Sequence, residues 1–318
     1  MTAIGLPGGP VGPDGALGPD LPVAVPGLPL GPVEPTRRAS ASFWHAAWYR
    51  YRSNPLAVVS GVVVVLILLV GLLAPFIAPH TDSATDLTSV LAGASWHHWL
   101  GTDQIGRDTL TRVIWGDRTS MTVAIGAPLI GLVIGLPIGI LAGWYGGIFD
   151  WVTLRFFELF QMVPTILAAL LFITVFGVSV WKLALFIGVT LWVGFGRLAR
   201  AQFIALRDRD FVLAARAGGV PTWRILIIHI LPNAVGPMIV FLVQQVPSVI
   251  FTAAGFSFIG LGIQDPLADW GKMINDAVSY LQVDALLVLV PVGCIGLACL
   301  SFSFLGDGLR DAFDPTSR

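Results

Sequence analysis

One short segment carries residue types and spacing that suit contact with another protein better than catalysis. It reads Asp208-Arg209-Asp210-Phe211-Val212-Leu213-Ala214-Ala215-Arg216-Ala217-Gly218-Gly219, continues through Pro221-Thr222-Trp223-Arg224, and reaches His229-Ile230-Leu231-Pro232-Asn233. Asp210 suits a helix N-cap, because its short carboxylate can accept from the free amides of a first turn. Phe211 to Ala217 favours a short helix, and Gly218-Gly219 ends it. Ala214 and Ala215 leave that helix bare enough for a partner surface to come close. Pro221 and Trp223 start a second helical piece.

Other chemistry-bearing residues are sparse. Cys294 and Cys299 are five apart, about 140° around a helix, so they share no face and suit packing rather than metal or redox work. His97-His98 are adjacent and cannot share one strand face, which argues against a metal site. Arg155 and Glu158 have helical i,i+3 spacing and are expected to form a structural ion pair. Gln161, Gln244 and Gln245 are polar groups in apolar surroundings; they suit either a substrate path or bonds between helices. No G-x-x-x-x-G-K-[ST] phosphate loop is present. Gly271-Lys272 comes nearest, but Met273 follows and Pro266 stands where the first glycine belongs. No catalytic residue is assigned.

The elements that must position these residues are membrane helices. Of the 318 residues, 55% are hydrophobic and only 12% charged, against about 25% charged in a soluble domain. The net charge of -1 gives no pull toward nucleic acid. Residues 1–38 are rich in Pro and Gly and are expected to be a disordered cytoplasmic tail. Residues 39–54 mix Trp44, Trp48 and Tyr49 with Arg50 and Arg52, as a helix lying in the membrane interface does. Residues 55–318 then hold apolar runs long enough to span a bilayer. Six spans are expected, at about 55–78, 119–145, 151–177, 181–201, 233–254 and 285–306. With the N-terminus inside, thirteen of the eighteen Lys and Arg residues fall on the inner side. Only Arg107, Arg112, Arg118, Lys182 and Lys272 fall outside, so both termini are expected in the cytoplasm. Trp96, Trp99, Trp115, Trp181 and Trp270 form the expected outer aromatic belt. Gly131, Gly135, Gly139, Gly143 and Gly147 recur every four residues. They make a ridge for close helix approach, either as static packing or as a sliding surface between subunits. Gly255, Gly260 and Gly262 mark a bend.

The spacing of Ala214-Ala215, Gly219 and Leu231-Pro232 resembles the cytoplasmic coupling motif of ABC importer permeases. Leu213 stands where that motif usually has glutamate, and His229 where an aliphatic is usual. The longer pattern, Ala-Ala-Arg-Ala-x-Gly with His-x-Leu-Pro-Asn, is similar to the peptide and nickel branch. Arg52-Ser53-Asn54-Pro55-Leu56-Ala57 resembles the start of its C-type subunits. Leu100-Gly101-Thr102-Asp103 with Gly106-Arg107-Asp108, Leu261-Gly262-Ile263-Gln264 with Trp270-Gly271, and Leu305-Gly306-Asp307-Gly308-Leu309-Arg310-Asp311 agree in order. The resemblance runs from about Trp48 to the C-terminus.

The resemblance implies an all-α integral membrane protein with the type I importer fold and a cytoplasmic coupling helix. It implies a second, homologous permease as heterodimer partner, two ATPase subunits or one fused ATPase, and an extracytoplasmic substrate-binding protein. ATP and Mg would be bound by the ATPases, with no cofactor in this chain. Asp210, Ala214, Ala215, Arg216, Ala217, Gly219, Arg224, His229 and Pro232 would form the ATPase-coupling segment. The expected function is import of di- or oligopeptides across the cell membrane by alternating access. Import of haem, glutathione or a nickel chelate is the alternative within the family. An ion-coupled secondary transporter is the rival from another class, but such transporters usually place acidic or His relays near the bilayer midplane, and the uncharged runs here offer none. A membrane scaffold without transport is the third reading.

Overall fold

A computed structural model describes residues 43–313. The expected tail over 1–38 and the first residues of the expected interfacial segment lie outside them. Among the described residues the chain is helical, without strands. The interfacial piece is α1 (Phe43–Ser53), with Arg50 and Arg52 in its last turn. Asn54 then caps α2 (Pro55–Ile77), its side chain accepting from the Ala57 amide at 3.2 Å, with Pro55 in the first turn where its missing N–H costs nothing. Leu56, Val59, Val62, Leu72 and Phe76 are exposed along α2. Such a face is untenable in water but is the ordinary outer face of a helix in lipid.

Three later helices follow: α3 (Thr109–Tyr145), α4 (Gly147–Gln161) and α5 (Thr165–Phe176). The expected span over 119–145 is longer than foreseen. Asp108 caps α3 through the Thr111 amide at 2.8 Å, so the helix begins at Thr109. At 1.5 Å per residue α3 is about 55 Å long, so one end projects past a hydrocarbon layer of about 30 Å. Arg112, Asp117 and Arg118 sit in its first turns, so this helix is not the uncharged run that 119–145 suggested. The expected span over 151–177 is broken: α4 and α5 meet at 79°. Pro164 is the reason, since it has no N–H to continue the helix and bars its predecessor from the helical region.

The remaining helices are α6 (Val180–Arg207), α7 (Asp210–Ala217), α8 (Thr222–Arg224), α9 (Leu231–Phe258), α10 (Trp270–Ala277) and α11 (Leu286–Phe313). A π-helical stretch, Ile225–Ile230, joins α8 to α9. Among the described residues five helices are long and apolar enough to cross a membrane, and the bent pair α4 and α5 is so when taken together.

The α3 glycine ridge packs against α6 of the same chain. A Cβ at Gly135 would collide with the Trp192 carbonyl, and one at Gly143 would lie 2.7 Å from the Arg200 carbonyl. At Gly139 it would collide with the Gly196 carbonyl and lie 2.6 Å from Ala199 Cβ. Of the two readings, static packing is the one seen in this chain: Gly131, Gly135, Gly139 and Gly143 are buried against α6 of the same chain. Gly147 leaves the row, standing in α4 with nothing within 4 Å of an added Cβ. Around this pair, one core joins α2, α3, α9, α10 and α11 through Val64, Met121, Ile250, Met273 and Phe302. A second joins α3, α5, α6 and α9 through Val123, Ala169, Ile187 and Phe256. Cys299 is buried in the first core, and Cys294 packs beside it as a free thiol. The glycine bend at the end of α9 is present: Gly260 has φ +83°, and a Cβ at Gly262 would collide with Ser257.

Candidate coupling site and a buried ionic cluster

The segment between α6 and α9 is anchored before it is exposed. Val212 and Ala215 turn inward onto Phe203, Ile225, Ile230 and Ala234, with Ile140 and Trp144 of α3 beside them. Asp150 of α4 forms a bidentate pair with Arg200 of α6, one bond at 2.6 Å. Arg207 donates to the Gly143 carbonyl at 3.3 Å. The root of the segment is thus tied to α3, α4 and α6.

On that root, α7 starts at Asp210. Asp210 is not the N-cap: Arg209 occupies that place without a side-chain cap bond, and Asp210 is the first helical residue. Its carboxylate still favours the positive end of the helix dipole. The helix ends in a Schellman arrangement. The Val220 amide donates to the Ala215 carbonyl at 3.1 Å and the Gly219 amide to the Arg216 carbonyl at 3.0 Å. That arrangement places Gly219 at φ +74°, a left-handed conformation that glycine adopts without a Cβ penalty. Gly219 therefore has a structural reason to be glycine, apart from any partner.

Asp210, Ala214, Ala217, Gly219 and Arg224 are exposed. Ala215 is not fully so, since it joins the core below, so only one of the two alanines presents bare surface. Arg216 stacks on Trp144, its guanidinium carbon 4.3 Å from the ring centre. Phe211, Leu213 and Trp223 add large exposed apolar groups to the same segment. Leu213, at the position where glutamate is usual in the family motif, makes this surface less acidic.

His229 and Pro232 lie further along, where helix leads into the membrane. Pro232 has no amide to give and its ring crowds the carbonyl four residues back. The preceding turn widens to π geometry, with the Leu231 amide bonded to the Leu226 carbonyl. The His229 carbonyl accepts instead from the Asn233 side chain at 2.7 Å. The fifth span, expected at 233–254, is consequently one helical run over Thr222–Phe258.

Of the three glutamines, Gln161 lies on α4 and Gln244 and Gln245 on α9. Gln161 is exposed at the α4–α5 break. Gln244 donates to Asp307 of α11 at 3.4 Å, a bond between helices. Gln245 is half-buried on α9. Arg155 donates to Glu158 at 2.5 Å, with both side chains exposed.

At the opposite end of α3 is a cluster that sequence spacing missed. Arg107 donates to Asp103 at 2.6 Å and pairs with Asp265. Lys272 pairs with Asp276 and lies 3.3 Å from Asp265. Arg112, 2% exposed, lies 3.9 Å from Asp103 and 3.7 Å from Asp265. Burial works to raise the Asp265 carboxyl, but Arg107, Lys272 and Arg112 overcome it and hold it below the ordinary range. Nearby, Asp269 caps α10 through the Lys272 amide at 3.2 Å and accepts from Ser120 at 3.2 Å. Trp270, expected in the outer aromatic belt, is 3% exposed and donates from its indole to the Val113 carbonyl at 3.1 Å. His98 pairs with Asp108 at 3.0 Å.

Comparison with known proteins places this architecture. Residues 135–318 match the family described as binding-protein-dependent transport system inner membrane component. Residues 42–93 match the N-terminal TM domain of oligopeptide transport permease C. The dipeptide transport system permease protein DppC of Alkalihalophilus pseudofirmus is 36% identical, over 90% of this chain and 94% of that one. The oligopeptide transport system permease protein OppC of Bacillus subtilis is 35% identical, over 91% and 94%. The glutathione transport system permease protein GsiD of Pectobacterium atrosepticum is 34% identical, over 86% and 91%. This helical, multi-pass chain therefore belongs to the ABC importer permeases, in the C-type branch of the dipeptide and oligopeptide systems.

Proposed function

We propose that this chain imports di- or oligopeptides across the cell membrane as one half of a heterodimeric permease. The observation that carries the reading is the pair of relatives named for dipeptide and oligopeptide transport, each matched over nine tenths of this chain. The glutathione relative favours a second reading, a tripeptide-sized thiol substrate. ATPase subunits, binding ATP and Mg, dock on α7 from the cytoplasm, where both termini also lie. An external binding protein delivers substrate. Closure of the ATPase pair draws the two coupling helices together and turns the spans from inward- to outward-open. Exposed Ala214 and the apolar Phe211, Leu213 and Trp223 supply the contact surface.

Uptake of a labelled dipeptide tests the substrate, in cells lacking this gene and complemented with wild type or Ala214→Arg. Ala214 is helical and exposed, so arginine there blocks docking without backbone strain. Gly219→Asn serves as control, because asparagine tolerates the left-handed conformation. Wild type should restore uptake, Ala214→Arg should not despite normal assembly, and Gly219→Asn should restore most of it. Normal uptake by an assembled Ala214→Arg transporter would sink the docking assignment. Uptake that survives ATP depletion and dies with the ion gradient would replace the mechanism by secondary transport.

A further inference from the structure

An apolar concavity lies away from α7's contact surface. It is an apolar groove of about 610 Å³ between α1, α2 and α11. Trp48 and Tyr51 form one wall, Gly61 and Val65 the floor, and Leu305 and Leu309 the other wall. The hydroxyl of Tyr51 is occupied, donating to the Ala57 carbonyl at 2.6 Å across the groove floor. Gly61 permits this, since a Cβ there would collide with that hydroxyl. Along α2 the groove runs from Val58 to Leu66, about 12 Å of helix.

The groove opens sideways from a spanning helix, not into a water-filled cleft. Only 22% of the most apolar stretch of α2 is buried, so its outer face meets acyl chains. One end of the groove reaches the interface, at the last turns of α1 and α11. Arg50 and Arg52 end α1 and Arg310 ends α11. The Arg52 guanidinium carbon stands 6.0 Å above the ring of Trp48, a groove wall. Of the acids beside them, Asp307 accepts from Gln244 and Asp311 is exposed at the end of α11. An apolar slot with cations at its interfacial mouth matches an acyl chain below an anionic headgroup.

We propose that this groove is a binding site for an anionic phospholipid of the leaflet beside α1, with one acyl chain along α2 and the phosphate at Arg52. The lipid would fix the tilt of α1 against α11 and so hold the start of the permease domain at the membrane surface.

The test uses the whole transporter, with its partner subunits, in nanodiscs carrying a trace of photoactivatable phosphatidylglycerol or phosphatidylcholine. Cross-linked peptides are mapped by mass spectrometry. Phosphatidylglycerol should mark Val58–Leu66 and Leu305–Phe313 in preference to phosphatidylcholine, by about fivefold for one interfacial arginine. Arg52→Gln should erase the preference between lipids. Val65→Trp should fill the slot and abolish labelling there, while Leu72→Trp, elsewhere on α2, should leave it intact. Labelling no stronger in the groove than around Leu72 and Phe76 would overturn the proposal. So would equal labelling by both lipids in the wild type, or an Arg52→Gln preference unchanged. Occupation by a helix of the partner permease would show as protection of the groove from both lipids, and would overturn it equally.

Discussion

At Gly139 a methyl group has nowhere to go, because the Gly196 carbonyl and the Ala199 side chain occupy its place. Gly139→Ala must push α3 off α6, and overpacking of that kind costs about 1–3 kcal/mol. Gly255 in α9 has nothing within 4 Å of an added Cβ, so Gly255→Ala should be neutral or mildly stabilising through the unfolded chain. Thermal unfolding in detergent should separate the two, with a clear fall only for Gly139→Ala; equal melting points would mean the helices part freely. The period-four row made this packing legible, since a repeat of four keeps the glycines near one helix face. What the row could not reveal was its partner. A glycine ridge fits a helix of the same chain or of another equally well, and only the fold shows that α6 fills it.

The short helix α7 shows how much an element owes to what lies beneath it. Eight residues do not hold a helix alone in water. Val212 and Ala215 seat it on the core, and Arg216 braces it against Trp144. Trp144→Ala removes both the ring beneath Arg216 and part of that core. Hydrogen exchange should accelerate across Asp210–Ala217 and stay unchanged in α2, with Trp144→Phe intermediate; protection unaltered by Trp144→Ala would show that the seat lies elsewhere. This element was readable in advance because its stop signals are local: Gly218-Gly219 and Pro221 punctuate it whatever surrounds them. Its start was misplaced by one residue, since an Asp just inside a helix and an Asp at its cap look alike in sequence. The break between α4 and α5 was equally local, carried by Pro164, yet the apolar run across it resembles one continuous span. Pro232 was visible too, but not the π turn that accommodates it, which depends on how the helix is gripped on either side.

Across the whole molecule, the ionic cluster joins residues separated by more than 150 positions, and no spacing rule connects Arg107 to Asp265. In the sequence its cations mark topology, and Arg107 and Lys272 stand in short local motifs, but nothing there joins them to one another. Because the Asp265 carboxyl is held below its ordinary range, its contribution is present at neutral pH and above. That contribution is lost as pH falls through the lowered value, beneath about 4. Melting between about pH 6 and about pH 3 should therefore fall more for wild type than for Asp265→Asn, which starts lower. Parallel curves would remove Asp265 from the acid response. The cluster sits at the first turns of α3, and the other end of α3 reaches Gly143 beside α7's anchor, Arg207. Between them the glycine row of α3 lies directly against the backbone and the side chains of α6. Where helices lie this close there is little slack to take up, and the irregular geometry is found elsewhere, at the α4–α5 elbow and the π turn.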